Sequence, residues 1–163
     1  MRSFLILLAF LFSIAGEAQD MTAEKINSLI ESVSDSASYQ NNTVRFNYKN
    51  RMLICVTDEK ANRMRIISPI AERAQLKEEH LLNALVANFH TALDVKYAIS
   101  DELIWSVFAH PLKELSEAQV KDAILQVYYA NVTFGNTYSS TTLVFPGNTQ
   151  KKESKPAPVK KKI

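Results

Sequence analysis

The chain has 163 residues, 47% of them apolar and 22% charged, and a formal net charge of +2. That length suits a single domain able to bury a core, and that composition excludes collagen-like, low-complexity and wholly disordered chains. The charge is uneven. Lys151, Lys152, Lys155, Lys160, Lys161 and Lys162 against Glu153 put +5 on residues 151–163, and Arg2 cancels Glu17, so residues 19–150 carry −3, the difference between +2 and +5. A body of that sign with no basic cluster argues against nucleic acid as a partner.

Residues 1–18 have the layout of a secretory signal peptide. Met1-Arg2 is a short positive start, Phe4 to Ala15 is apolar apart from Ser13, and Gly16-Glu17-Ala18 is a small-x-small cleavage site. The apolar run is shorter than the ~20 residues a spanning helix needs. The expectation is an exported protein, periplasmic or extracellular, with a mature chain starting at Gln19. In such a compartment the lone Cys55 has no internal disulfide partner. Set in the run Met52-Leu53-Ile54-Cys55-Val56, it reads as a small buried apolar residue.

The first helix is predicted from Thr22 to about Ser34. Ile26, Leu29, Ile30 and Val33 form one stripe, Thr22 is the cap, and Glu24 meets the helix dipole. Asp35 to Asn42 reads as a polar break. Three strands follow as an antiparallel meander. Val44-Phe46-Tyr48 alternates up to a tight turn at Lys49-Asn50. Arg51 to Thr57 is nearly all apolar, as for a strand covered on both faces or central in the sheet. Arg63 to Ser68 alternates again until Pro69 closes the strand.

A second helix is predicted from about Leu76 to Leu93. Its stripe of Leu81, Leu82, Leu85, Phe89, Ala92 and Leu93 is expected to face the core, while Lys77, Glu78 and Glu79 face water. Val95-Tyr97-Ile99, a turn at Asp101-Glu102, and Leu103-Trp105-Val107 with Ile104 and Phe108 on the other face make a hairpin. Ser116 and Gln119 have capping-box spacing at the start of the last helix, whose buried face is Val120, Ala123, Ile124, Val127 and Tyr128. Beyond Phe134-Gly135 the pattern lapses, and Thr137 to Phe145 is either an edge strand or a packed extension. Residues 148–163, lysine-rich with Pro156 and Pro158, read as a disordered tail.

Chemistry-bearing constellations are sparse. His80 and His90 lie ten residues apart, which at ~100° per residue places them on different faces of one helix. Zinc needs histidines at i and i+3 or i+4, or a cysteine pair, and the spacing offers neither. No serine stands in a Gly-x-Ser-x-Gly elbow, and with only Gly16, Gly135 and Gly147 no phosphate-cradling loop can form. Nothing in the sequence calls for a cofactor. The reading is therefore non-catalytic, with an enzyme built on dispersed residues such as Glu79, His80 and His90 as the lesser alternative. The aromatic residues Trp105, Phe108, Tyr128, Tyr129 and Tyr138 are the candidate partner-binding set, because aromatics on an uncovered sheet face carry interface energy.

The order helix, three strands, helix, two strands, helix resembles the type III secretion chaperone-like (Tir-chaperone-like) fold, and within it the YbjN-type family of bacterial sensory-transduction regulators. The resemblance covers roughly Thr22 to Thr133. Its carriers are the strand MLICV, the strand RMRIISPI, the helix LLNALVANFHTALDVKYAIS, the hairpin DELIWSVF and the closing segment HPLKELSEAQVKDAI. In that family a helix of this kind carries an asparagine near its end and runs into a strand, and Asn88 stands at a comparable place. The resemblance implies a homodimer that binds extended segments of a client.

The sequence thus predicts an α+β domain, α-βββ-α-ββ-α, with a twisted antiparallel sheet and helices packed against it. One domain fills residues 19–147, with its core at about 22–134. The predicted function is an exported protein-binding module, chaperone-like or regulatory, acting as a homodimer on a protein or peptide partner. The alternative is a cell-envelope structural protein whose lysine tail makes weak contact with anionic surfaces.

Overall fold

The computed structural model describes residues 20–143; the expected signal peptide and the lysine tail lie outside them. Helix α1 spans Ala23–Val33, with the Thr22 hydroxyl accepting from the Lys25 amide at 3.3 Å. Its predicted stripe is the buried one, with Ile26, Leu29 and Ile30 in the core. Strands β1 (Ser36–Gln40), β2 (Thr43–Tyr48), β3 (Arg51–Asp58) and β4 (Arg63–Glu72) follow. A short 3-10 turn at Arg73–Gln75 leads to α2 (Glu78–His90), and β5 (Lys96–Ser100), β6 (Leu103–His110) and α3 (Glu117–Thr133) complete the domain.

The strands form one open sheet in the order β1-β2-β3-β4-β6-β5, every pairing antiparallel. The α+β reading is what the structure shows. The turns at Lys49-Asn50 and Asp101-Glu102 have positive φ at both residues, the two-residue hairpin geometry that suits the right-handed twist of flanking strands. One face of the sheet is packed. Across it the register aligns Val44, Cys55, Ile66 and Phe108 on one rung and Phe46 with Leu53 on another, all buried. Helix α3 covers β4 and β6, and α1 lies beside it over β1 and β2. The capping box that starts α3 is present in full. The Gln119 amide donates to Ser116 Oγ at 3.3 Å, and the Ser116 amide to Gln119 Oε1 at 2.9 Å.

Two expectations about the sheet are corrected. The polar break at 35–42 contains a strand, β1, which pairs with β2 from Ser36↔Asn47 to Gln40↔Thr43. Its residues are mostly exposed, so no apolar alternation marks it. Of the two placements open to Arg51 to Thr57, the structure shows the second: β3 is interior to the sheet and covered on one face, with Leu53, Cys55 and Thr57 buried and Met52 and Val56 exposed. Pro69 does not end β4. The register shifts between Pro69 and Ala71, and the strand continues to Glu72. The bulge spares a ladder bond that proline cannot donate. Asn131 on α3 then donates at 2.8 Å to both the Pro69 carbonyl and Ser68 Oγ. Cys55 is buried as expected, and desolvation pushes its thiol up to about 12.

Candidate functional site

The site is built around α2, where the largest departure from the sequence reading occurs. Glu78 and Glu79 in the first turn and His90 in the last complement the helix dipole. The side turned to the protein carries alanines: Ala84 and Ala87 are the buried residues of this helix. The large apolar stripe points outward, with Leu82 63%, Leu85 66%, Val86 52% and Phe89 75% exposed. The predicted orientation is thus reversed for Leu82, Leu85 and Phe89, while Leu81 is half-buried and Ala92, beyond the helix, is fully buried.

The reason lies beneath the helix. Tyr97 on β5, Phe134 and Tyr138 fill that space in an edge-to-face cluster, with centroids 5.5, 6.1 and 5.1 Å apart. Tyr97 donates to the Ala130 carbonyl at 2.9 Å, and burial pushes its phenol up to about 12. Only small side chains let the backbone of α2 approach such a layer. Asn88 then fastens helix to strand: its Oδ1 accepts from the Tyr97 amide at 2.7 Å and its Nδ2 donates to the Tyr97 carbonyl at 3.2 Å. The side chain stands where a neighbouring strand would pair, so it also protects part of the β5 edge.

A second fastening comes from the segment after α3. Beyond Gly135 (φ +81°), Tyr138 is buried and its hydroxyl lies 2.8 Å from His80 Nδ1. Thr91 Oγ1 donates to the Tyr138 carbonyl at 2.7 Å, and the Ser140 amide donates to the Thr91 carbonyl at 3.1 Å. As far as residue 143 this segment is a packed extension rather than a strand; residues 144 and 145 lie outside the described residues.

Between α2 and the β5–β6 edge opens a groove of about 650 Å³. Leu81, Leu82, Leu85, Tyr97, Ile99 and Ile104 line it, and Glu78 and Glu79 stand at its rim. Ile99, though on the packed face of the sheet, is exposed because the helix does not reach it. The result is a continuous apolar surface, larger than scattered surface leucines would give and bordered by carboxylates. It is suited to apolar side chains of another polypeptide.

The five aromatic residues picked from sequence do not form one patch. Phe108 and Tyr138 are interior residues, the former stacked on His110 at 6.1 Å. Trp105 is half-buried on the opposite face of the sheet, its Nε1 donating to the Ser100 carbonyl at 3.0 Å. Tyr128 and Tyr129 stand together on α3, centroids 5.3 Å apart. Tyr128 meets Tyr48 edge-on at 5.5 Å beneath the Lys49 ammonium. Nor do the dispersed residues of the enzyme alternative come together. His80 is turned to Tyr138, His90 packs on Phe89 at 4.8 Å, and His110 lies against the Pro111 carbonyl. Among the described residues no three His, Cys, Asp or Glu side chains converge as metal ligands would. The sequence reading missed Val86, Ile99 and the role of Asn88. The available signal was Ala84, Ala87 and Ala92, a second, small-residue face on the same helix.

No protein-family model matches the chain, and no curated protein does. Among solved structures, a chain of the HopA1–SchA chaperone–effector complex is similar, at 13% identity and a TM-score of 0.54. The match covers 67% of this chain and 88% of that one. At that identity the likeness is one of fold: this protein shares the α+β fold of a chain in that complex.

Proposed function

We propose that this protein is a non-catalytic protein-binding module, chaperone-like or regulatory, that works outside the cytoplasm as a homodimer. The observation that carries the reading is the outward apolar stripe of α2 with the groove beside it. A helix that turns its large residues to solvent and its alanines inward is shaped for a partner rather than for its own core. Leu82, Val86 and Phe89 would pair with the same residues of a second copy about a twofold axis. The groove at Leu85, Ile99 and Ile104 would hold an extended segment of a protein or peptide partner. The chaperone-like fold supports such a role by analogy. The pattern of residues 1–18 supports export, and the element order supports kinship with YbjN-type regulators.

The test is a photo-crosslinking amino acid placed at Leu85 or, as a control, at exposed Glu117 on α3, in cells that express the chain natively. The proposal expects adducts to a discrete protein from position 85 and none from position 117. Absence of adducts from position 85, or equal adducts from both, contradicts it.

A further inference from the structure

Among the described residues one face of the sheet has no helix on it, and it carries a second surface, independent of α2, whose residues are aligned by register. One rung runs Arg45, Ile54, Ile67, Val107, Lys96 across β2, β3, β4, β6 and β5. On either side of it lie Met52 and Trp105, and Val56 and Arg65. The apolar part occupies the three central strands, roughly 10 Å wide, and its three rungs extend roughly 14 Å along them. Arg45 and Lys96 flank it roughly 19 Å apart, four strand spacings. An α-helix with side chains is ~10–12 Å across and fits between them.

The charge of this face opposes that of the molecule. The register places Arg45, Arg63, Arg65 and Lys96 here against Asp58 and Glu72, a balance of +2, whereas residues 19–150 carry −3. Among the described residues none of these four cations lies within 4 Å of a carboxylate; Arg63 Nη1 donates to the Asn62 carbonyl, and Lys96, at the sheet edge, donates to the Leu93 carbonyl, a bond it would exchange for a partner's carboxylate. Beside them Val56, Arg65 and Ile67 line a shallow depression of about 340 Å³. The chain's own lysine-rich segment 151–163 has the same sign and offers this face no charge complementarity. The apolar side chains are also mostly flush: Ile54, Ile67, Trp105 and Val107 are half-buried, with only Met52 and Val56 standing proud. A flush surface offers little to insert into a bilayer and much to a matching rigid one.

We propose that the open sheet face, Ile54, Ile67 and Val107 between Arg45 and Lys96, receives an amphipathic helix with acidic flanks from a partner protein. Its apolar stripe would lie on the three central strands and its carboxylates would meet the flanking cations.

Trp105, the single tryptophan of the chain, sits on this face and reports occupancy by its own fluorescence. The full chain, as processed by its expression host, is titrated with synthetic helical peptides of about 14 residues, ~21 Å long. One has a Leu/Ile stripe flanked by glutamates, one the same stripe flanked by lysines, and one glutamates with the stripe scrambled. Phosphatidylglycerol vesicles form a fourth arm. The proposal expects a Trp105 blue shift with the first peptide and binding ~10-fold or more weaker for the other two, fading as salt rises. The double variant Arg45→Glu, Lys96→Glu, at exposed positions, should lose ~10-fold or more of that affinity, while Leu85→Glu on α2 leaves it unchanged. Equal binding of the lysine-flanked peptide overturns the proposal, as do full binding by the double variant and a shift produced by the vesicles but not by the acidic peptide. Loss of binding in Leu85→Glu overturns it too, by moving the site to the groove. The crosslinking result at Leu85 does not enter, so this surface and the α2 reading stand or fall separately.

Discussion

Replacing Asn88 with alanine isolates the joint that holds α2 in place. The substitution removes two hydrogen bonds at once, to the Tyr97 amide at 2.7 Å and to the Tyr97 carbonyl at 3.2 Å, and puts nothing in their place. A typical net bond contributes about 1 kcal/mol, so the loss is about 2 kcal/mol, falling toward about 1 if water reaches the strand edge. For a domain of this size the melting temperature drops by roughly 3–10 °C. The effect should also be local. With Ala84 and Ala87 the buried residues of α2, and the segment at Tyr138 as its other fastening, its amides should exchange faster while those of β3 and β4 keep their protection. Urea unfolding and residue-resolved hydrogen exchange measure both parts. A loss below about 0.5 kcal/mol in Asn88→Ala, with α2 exchange unchanged, refutes the reasoning.

Other consequences follow from the same packing. Phe89→Glu should convert the proposed homodimer to a monomer by light scattering while the monomer keeps its circular dichroism spectrum, because the residue touches little of its own chain; a dimer that persists removes α2 from the interface. Ile66→Ala, at the centre of the packed face, should cost about 2–5 kcal/mol in urea unfolding. Cys55 should resist thiol reagents at pH 8 until the chain unfolds, since burial holds the thiol protonated up to about 12. Tyr97 makes the fold alkali-sensitive. Its phenol is raised from 10 to about 12, so the stability it contributes is complete below pH 10 and is lost between those values as the unfolded chain ionises first. In Tyr97→Phe that part of the alkaline loss should vanish, at a cost of about 1 kcal/mol for the bond to Ala130.

Much of the fold was legible because local signals agreed with tertiary packing. The stripe and cap of α1, the box at Ser116 and Gln119, and the hairpin turns all read correctly, since each is set by residues a few positions apart. The failures have physical causes. Strand β1 is an exposed edge of Ser, Ala, Tyr and Gln held by backbone pairing and by the bonds of Ser36 and Ser38 to β2, with only Ala37 packed on the core, which leaves no apolar period. Pro69 is tolerated within β4 because a bulge and Asn131, 62 residues away, accommodate it, a partnership invisible locally. The candidate site failed for the most general reason. Periodicity identifies an apolar face but not what it faces. Helix α2 has a large-residue face and an alanine face, and the choice between them was made by Tyr97, Phe134 and Tyr138. Where a helix shows two apolar faces, the one with small residues belongs against the densest layer.

The central claim is that the outward face of α2 is covered in the working protein. Hydroxyl-radical footprinting of Leu82, Leu85 and Phe89 tests it most directly, comparing the dilute purified chain with the chain in its native compartment. If that face is covered, Phe89 labels strongly in the dilute chain and is clearly protected in place, with exposed Tyr129 on α3 labelled alike in both. Equal labelling of Phe89 in the two settings would contradict it.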